Sequence, residues 1–199
     1  MKLVLATANP AKAHELEEIL CALLPEKDMQ VIAAQTLLGS DWQVEETGAT
    51  LEENAYLKAT AVFEKTLLPT IADDTGLEVE ALGGLPGVQT ARFAGENATA
   101  SQNIALLLEK LSGISTREAQ FRTVICYRDR FRTLFAEGVC RGSIADQPRG
   151  TEGFGYDPIF IPEGDHRTFA EMSPQEKHLR SHRRRALDSL VEQLRRLWE

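Results

Sequence analysis

The chain has 199 residues, 43% of them hydrophobic and 26% charged, a composition that builds one sizeable core and excludes a disordered segment. Its 30 acidic and 22 basic residues leave a net charge of −8, so the molecular field repels nucleic acid and anionic lipid rather than gathering them. The cysteines, Cys21, Cys126 and Cys140, are odd in number and show neither Cys-x-x-Cys nor Cys/His ligand spacing, so neither a disulfide frame nor a zinc site is indicated, and a reducing compartment fits. Lys2, the apolar residues after it and Ala6-Thr7-Ala8 imitate a secretory start, but that stretch is shorter than a signal peptide needs. No apolar run approaches the ~20 residues of a membrane helix, and a soluble cytoplasmic protein is expected.

Lys2 to Thr7 reads as a short strand, followed by Ala8-Asn9-Pro10 and then Leu16, Ile19, Leu20 and Leu23 at helical spacing. Gln30 to Ala34 reads as a second strand, and Thr50-x-x-Glu53 as a capping box opening a helix that runs to about Lys65, before Pro69. Thr70-Ile71-Ala72 is expected to be a buried strand ending at Asp73-Asp74-Thr75-Gly76, with Leu77 to Leu82 as another short strand before a glycine-rich turn. Ser101 is placed as the cap of a helix carrying Ile104, Leu107, Leu108 and Leu111. Ala119, Phe121, Thr123, Ile125 and Tyr127 alternate as in a strand, and Phe131 to Cys140 forms its hairpin partner. Ser173-Pro174-Gln175-Glu176 starts a last helix whose stripe is Leu187, Leu190, Val191, Leu194 and Trp198. This order predicts an α/β protein with a mixed sheet, in a single domain over residues 1–199.

Charge is unevenly spread: Asp41 to Glu96 holds 11 acidic and 3 basic residues, whereas the chain from Glu171 onward holds 7 basic and 5 acidic ones. An acidic segment and a basic tail suit a carboxylate cluster holding a cation and a basic lip holding an anion, and equally suit solvated helix faces. Thr7-Ala8-Asn9-Pro10-Ala11-Lys12 lies at a strand-to-helix junction, where backbone N–H groups and the helix dipole favour an anion; Asn9 as cap and Pro10 at the first helical position fit as well. Lys58 shares a helix face with Leu51, Ala55 and Val62, so its ammonium either snorkels to water or meets an anion. If it meets a substrate anion, Lys58→Met should leave stability unharmed and weaken anion binding. Asp73-Asp74 and Glu45-Glu46 supply oxygen ligands for Mg²⁺, although either pair also suits a water-facing turn. Gly153-Phe154-Gly155-Tyr156-Asp157-Pro158 can stack a planar ring and accept its N–H protons, or fold as a tight turn with Phe154 inside. Lys177 and Ser181-His182-Arg183 add cationic and polar groups near the last helix.

Taken in order, these segments resemble the inosine triphosphate pyrophosphatase family, which hydrolyses non-standard purine nucleoside triphosphates. The resemblance runs through Thr7-Ala8-Asn9-x-x-Lys12, Glu45-Glu46-Thr47-Gly48 with Glu53-Asn54-Ala55 and Lys58, and Ala72-Asp73-Asp74-Thr75-Gly76-Leu77-Glu78-Val79. It continues through Ala81-Leu82-Gly83-Gly84-x-Pro86-Gly87, Ala91-Arg92, Gly153 to Phe160, Ala170-Glu171-Met172-Ser173, Glu176-Lys177 and Ser181-His182-Arg183. Two positions depart from the family: Ala8 stands where glycine is usual and Leu51 where an aromatic is common.

The resemblance implies an elongated mixed β-sheet with flanking helices, two lobes around a central cleft, a homodimer and a need for Mg²⁺. Thr7, Asn9, Lys12 and Lys58 would hold the triphosphate, with Ala8, Pro10, Ala11 and Thr75 lining the same segments. Glu46, or its neighbour Glu45, and Asp74 would hold the metal, and Asp74, with Asp73, would activate water. Phe154, Gly155, Tyr156, Asp157, Lys177, His182 and Arg183 would bind base and sugar. The products would be a nucleoside monophosphate and pyrophosphate. Two readings from other classes compete. A nucleotide sensor that binds without cleavage has no need of Asp73, Asp74 and Glu46 beside a polyanion. A nucleic-acid binder using Arg183-Arg184-Arg185 and Arg195-Arg196 is opposed by the net charge.

Overall fold

The computed structural model describes residues 2–25 and 30–198, without the side chain of Trp198, so the place of that side chain on the last helical stripe lies outside the described residues. Its elements alternate as an α/β protein with a mixed sheet. Among the described residues β1 is Lys2–Leu5, α1 Pro10–Leu23, β2 Gln30–Ala33, α2 Ala34–Leu38, α3 Leu51–Thr66 and β3 Thr70–Val79. Then follow β4 (Pro86–Gly87), α4 (Ala100–Lys110), β5 (Glu118–Arg128), β6 (Thr133–Ile144), β7 (Phe160–Pro162), α5 (Pro174–Arg180) and α6 (His182–Trp198). The strand order is β2-β1-β3-β5-β6-β7, with β4 paired to β3. Parallel pairing sets Val4 opposite Ile32 and Thr70, while β6 and β7 run antiparallel with Ser143 opposite Ile161.

The chain divides into two compact units. The first comprises Met1–Asp74, Thr123–Gly138 and Arg183–Glu199. In it Leu3 and Leu5 of β1 and Ile71 of β3 pack with Leu16, Ile19 and Leu20 of α1 and Leu187, Leu190, Val191 and Leu194 of α6. That apolar stripe on α6 is the reason a helix rich in arginine folds onto this unit. The second unit comprises Thr75–Arg122 and Val139–His182, with a core of Leu77, Ile104, Leu107, Phe121, Phe160 and Phe169. Phe121 and Phe160 meet there at 4.6 Å between ring centroids.

Several elements differ from the sequence reading. Asp73-Asp74-Thr75-Gly76 does not close a strand: β3 runs through it to Val79, because both carboxylates are paired and Gly76 allows the carbonyl of Gly87 to approach. Residues 80–82 form a 3₁₀ turn rather than the end of a strand. The cap of α4 is Thr99, not Ser101, and it forms a reciprocal capping box with Gln102. The last helix is two helices, since Ser181 sits in extended backbone (φ −69°, ψ 151°) and ends α5. The helix start at Ser173-Pro174, with its Glu176 capping box, is as read from sequence, and the hairpin partner runs to Ile144 rather than Cys140.

Candidate active site

The ladder between β1 and β3 ends where the Ala6 N–H donates to the Ile71 carbonyl at 2.8 Å. Beyond it β3 continues without β1, beside β5 and β4, and the chain from Thr7 turns away into α1. Thr7 Oγ1 accepts the Asn9 N–H at 3.2 Å, and Asn9 Oδ1 accepts the N–H groups of Ala11 and Lys12 at 3.0 and 3.3 Å. The Asn9 carbonyl oxygen of the side chain is therefore committed to capping, and Pro10 occupies the first turn, where its missing N–H costs nothing. Ala8, Pro10 and Ala11 are exposed and Thr7 is half-buried.

Lys12 reaches from α1 to Asp73, with Nζ 3.5 Å from Oδ2. Burial pushes its ammonium below the ordinary lysine value; Asp73 opposes that shift and Arg183 adds to it. Asp73 is 1% exposed and also lies 3.5 Å from Arg183 Nε, while Arg183 Nη1 donates to Glu15 Oε2 at 3.1 Å. One buried series of charges, Glu15, Arg183, Asp73 and Lys12, thus ties α1, α6 and β3 together.

Asp74 belongs to a different set. Its Oδ1 lies 3.3 Å from Lys58 Nζ, its Oδ2 accepts from Asn54 Nδ2 at 3.1 Å, and the same ammonium donates to Glu46 Oε1 at 2.9 Å. Lys58 therefore does not snorkel: it is a buried cation between two carboxylates. Burial opposes its charge, but Asp74, Asp73 and Glu46 outweigh burial and hold it above the ordinary lysine value. Burial likewise holds the Asp74 carboxyl above the usual carboxylate range, with Lys58 pulling the other way. Glu45 is exposed, so of the two neighbours it is Glu46 that joins this set. The donor chemistry fits a hard cation: two carboxylates, with room in such a shell for water and phosphate oxygens. Among the described residues no three or more His, Cys, Asp or Glu side chains gather into a metal-holding group.

The second unit builds the other cluster. Gly153 (φ +75°) lets the loop fold over Asp157, whose Oδ2 accepts the Phe154 N–H at 2.7 Å; a Cβ at Gly153 would overlap that oxygen. Lys177 Nζ lies 2.7 Å from the same oxygen and 4.6 Å from the Phe154 ring centroid. Phe154 is half-buried, not in the core, and Gly155 beside it is half-buried too. Tyr156 is in the core, 3% exposed, with its hydroxyl donating to the Thr90 carbonyl. His182 is buried and stacked on Phe121 at 4.7 Å. Thr75 is half-buried at the start of this unit.

Thus Lys58, Asp74 and Glu46 come together, Lys12 and Asp73 come together with Arg183, and Asp157, Lys177 and Phe154 come together. The Tyr156 ring is taken up by packing. Asn54 and Glu15 are members of these sets that sequence reasoning passed over. The signal was present: Asn54 precedes Lys58 by one helical turn, and Glu15 follows Lys12 by three residues on α1.

Comparison with known proteins bears on the whole chain. A model of the Ham1 family matches residues 3–193. The chain is 44% identical to a dITP/XTP pyrophosphatase of Aquifex aeolicus, with 98% of this chain and 97% of that one covered. It is 46% identical to a dITP/XTP pyrophosphatase of Porphyromonas gingivalis, covering 95% of each. Among solved structures, a Ham1 protein from Coxiella burnetii superposes with a TM-score of 0.87 at 41% identity, over 98% of this chain and 99% of that one. The Ham1 protein of Staphylococcus aureus gives 0.86 at the same identity, over 98% of both. A match this long in sequence, with the same fold carrying it, has one meaning: the chain belongs to the Ham1 family.

Proposed function

We propose that this protein hydrolyses non-standard purine nucleoside triphosphates (ITP, dITP and XTP) to the nucleoside monophosphate and pyrophosphate, removing them from the nucleotide pool. The observation that carries the reading is Lys58 held between Glu46 and Asp74. A pure phosphate binder gains nothing from two carboxylates beside a polyanion, whereas a hydrolase needs a cation site and a base.

Thr7, the Asn9 side chain, Lys12 and Lys58 bind the triphosphate, with Ala8, Pro10 and Ala11 shaping the loop. Glu46 and Asp74 hold Mg²⁺, with Glu45 outside the set. When bound, the cation neutralises phosphate charge and polarises a phosphoryl oxygen. Asp74 orients the attacking water and takes its proton on a carboxylate oxygen. Water adds to the α-phosphorus, the bond to the β-phosphate oxygen breaks, and the charge that grows on pyrophosphate meets the ammonium groups of Lys12 and Lys58. Asp73 holds Lys12 in place instead of acting on water.

On the base side, Lys177 donates to the 6-oxo group while Phe154 stacks on the ring and Asp157 keeps Lys177 in position. Gly155, Tyr156 and Thr75 contribute backbone, and His182 stacks on Phe121. Arg183 acts through Asp73 rather than on the base. The whole chain works as one domain, in a homodimer, in the cytoplasm, with no nucleic-acid or membrane partner; no helix among the described residues is long and apolar enough to cross a membrane. A pyrophosphate-release assay over ITP, dITP, XTP, GTP and ATP, with Mg²⁺ and with EDTA, tests the reading. Release from ITP and XTP that EDTA stops supports it; tight ITP binding without release establishes the sensor instead.

A further inference from the structure

Asn54 is fully buried in the first turns of α3, one turn before Lys58, and both ends of its amide are committed. Its Oδ1 accepts the Gly48 N–H at 2.8 Å, which fixes its Nδ2 toward Asp74 Oδ2 at 3.1 Å. Gly48 follows Glu46 by two residues, and Glu46 returns to Lys58 at 2.9 Å, with Lys58 in turn 3.3 Å from Asp74. The contacts close a ring: Glu46, Lys58, Asp74, Asn54, Gly48 and back along the chain to Glu46. The approach is tight, since a Cβ at Gly48 would stand 2.6 Å from Asn54 Oδ1 and 2.7 Å from Glu53 Cβ. The next residue is held as well, the Ala49 N–H donating to Glu53 Oε2 at 2.6 Å.

From this ring we infer that Asn54 is a positioning residue for the hydrolytic reaction, one amide that both docks the Glu46 loop on α3 and sets the rotation of the Asp74 carboxylate. Without its Nδ2 donor, the Asp74 carboxylate has Lys58 as its remaining partner in the ring and rotates about χ2, moving the oxygen that faces water. Without its Oδ1 acceptor, the Gly48 N–H is stranded beside α3 and the loop carrying Glu46 loosens. The inference rests on the proposed hydrolase reading; Asn54 itself makes no proposed substrate contact and Lys58 keeps both its carboxylate partners, so the effect falls mainly on kcat.

Two variants separate the two ends of the amide. Asn54→Asp keeps an acceptor for Gly48 and presents a carboxylate to Asp74 in place of a donor; Asn54→Ala removes both. Amide exchange over residues 44–50 is read on each nucleotide-free variant, together with kcat and KM for ITP well below the unfolding temperature. The expected result is exchange near wild type in Asn54→Asp and about tenfold faster in Asn54→Ala, with kcat falling about 10- to 100-fold in both and KM moving less than threefold. Unchanged exchange in Asn54→Ala, or kcat within threefold of wild type in a folded Asn54→Asp, overturns it, the latter leaving Asn54 a structural residue only. Should Asn54→Ala fail to fold, Asn54→Asp decides through its kcat. If wild type cleaves none of the triphosphates, the hydrolase reading fails and the positioning claim falls with it, while the exchange result still decides whether Asn54 docks the loop.

Discussion

Asp73 and Asp74 are adjacent in the chain and present their carboxylates to opposite faces of β3. Asp73 meets Lys12 of α1 and Arg183 of α6, whereas Asp74 meets Lys58 and Asn54 of α3. Strand alternation makes this unavoidable: side chains one residue apart in extended backbone point to opposite sides. Two acids that read as a pair in the sequence therefore do different work.

Replacing each acid by its amide separates the roles. Asp74→Asn is expected to lower kcat by ~10²–10⁴, the range for losing a general base, with a modest change in stability. Asp73→Asn leaves Lys12 without its buried anion and Arg183 without one of its two carboxylates, and should cost about 3–5 kcal/mol in urea unfolding while retaining more turnover than Asp74→Asn. Matching stability losses in the two variants would contradict the division.

The structure reverses the stability expected of Lys58→Met. That change leaves Glu46 and Asp74 facing each other without the cation between them, so stability should drop by about 3 kcal/mol at neutral pH, and triphosphate KM should rise. The folded-state affinity of Lys58 for its proton is raised above the ordinary 10.5, so its contribution is complete below pH 10.5 and disappears only as pH climbs through the higher folded value. Urea midpoints of wild type and variant should accordingly stay apart from pH 7 to 10 and converge above that.

Much of the fold was legible because its signals are local. The Thr50 and Ser173 caps, the alternation of β5 and the stripe of α6 each need only neighbouring residues to be recognised. What misled were residues whose ordinary preference is overridden by distant partners. Asp-Asp-Thr-Gly is turn chemistry by composition, yet Lys12, Arg183, Lys58 and Asn54 make it the middle of a strand. For the site, Lys58 on an apolar stripe left open whether its ammonium snorkels or meets an anion, and the resemblance put Glu46 ahead of Glu45; the fold pairs Lys58 with Glu46 and Asp74. Tyr156 was indistinguishable from a ring-stacking residue until the second core enclosed it.

The cysteines give a test of burial. Cys21 is exposed, whereas Cys126 and Cys140 are buried, and burial pushes the Cys126 thiol up to about 12 despite Arg128 nearby. Titration with a disulfide reagent at pH 8 should modify one thiol per native chain and three in denaturant. A folded thiol that keeps its proton longer than the unfolded one stabilises the native state less as pH rises from about 9 to about 12, so the protein should lose stability over that window. Rapid modification of Cys126 in the native state would show that this part of the sheet opens.

The central claim is that phosphate-holding residues serve every triphosphate, while Lys177, held by Asp157 over Phe154, tells a 6-oxo purine from adenine. A wrongly presented base edge that strands one buried polar group costs ~1–3 kcal/mol, roughly ten- to a hundredfold in kcat/KM. The most direct measurement is kcat/KM for ITP, XTP, GTP and ATP at one Mg²⁺ concentration, for wild type and Lys177→Met. The account predicts ITP and XTP at least tenfold above ATP in wild type, with that margin reduced in Lys177→Met; equal values for all four in wild type, or an unaltered margin in the variant, would contradict it.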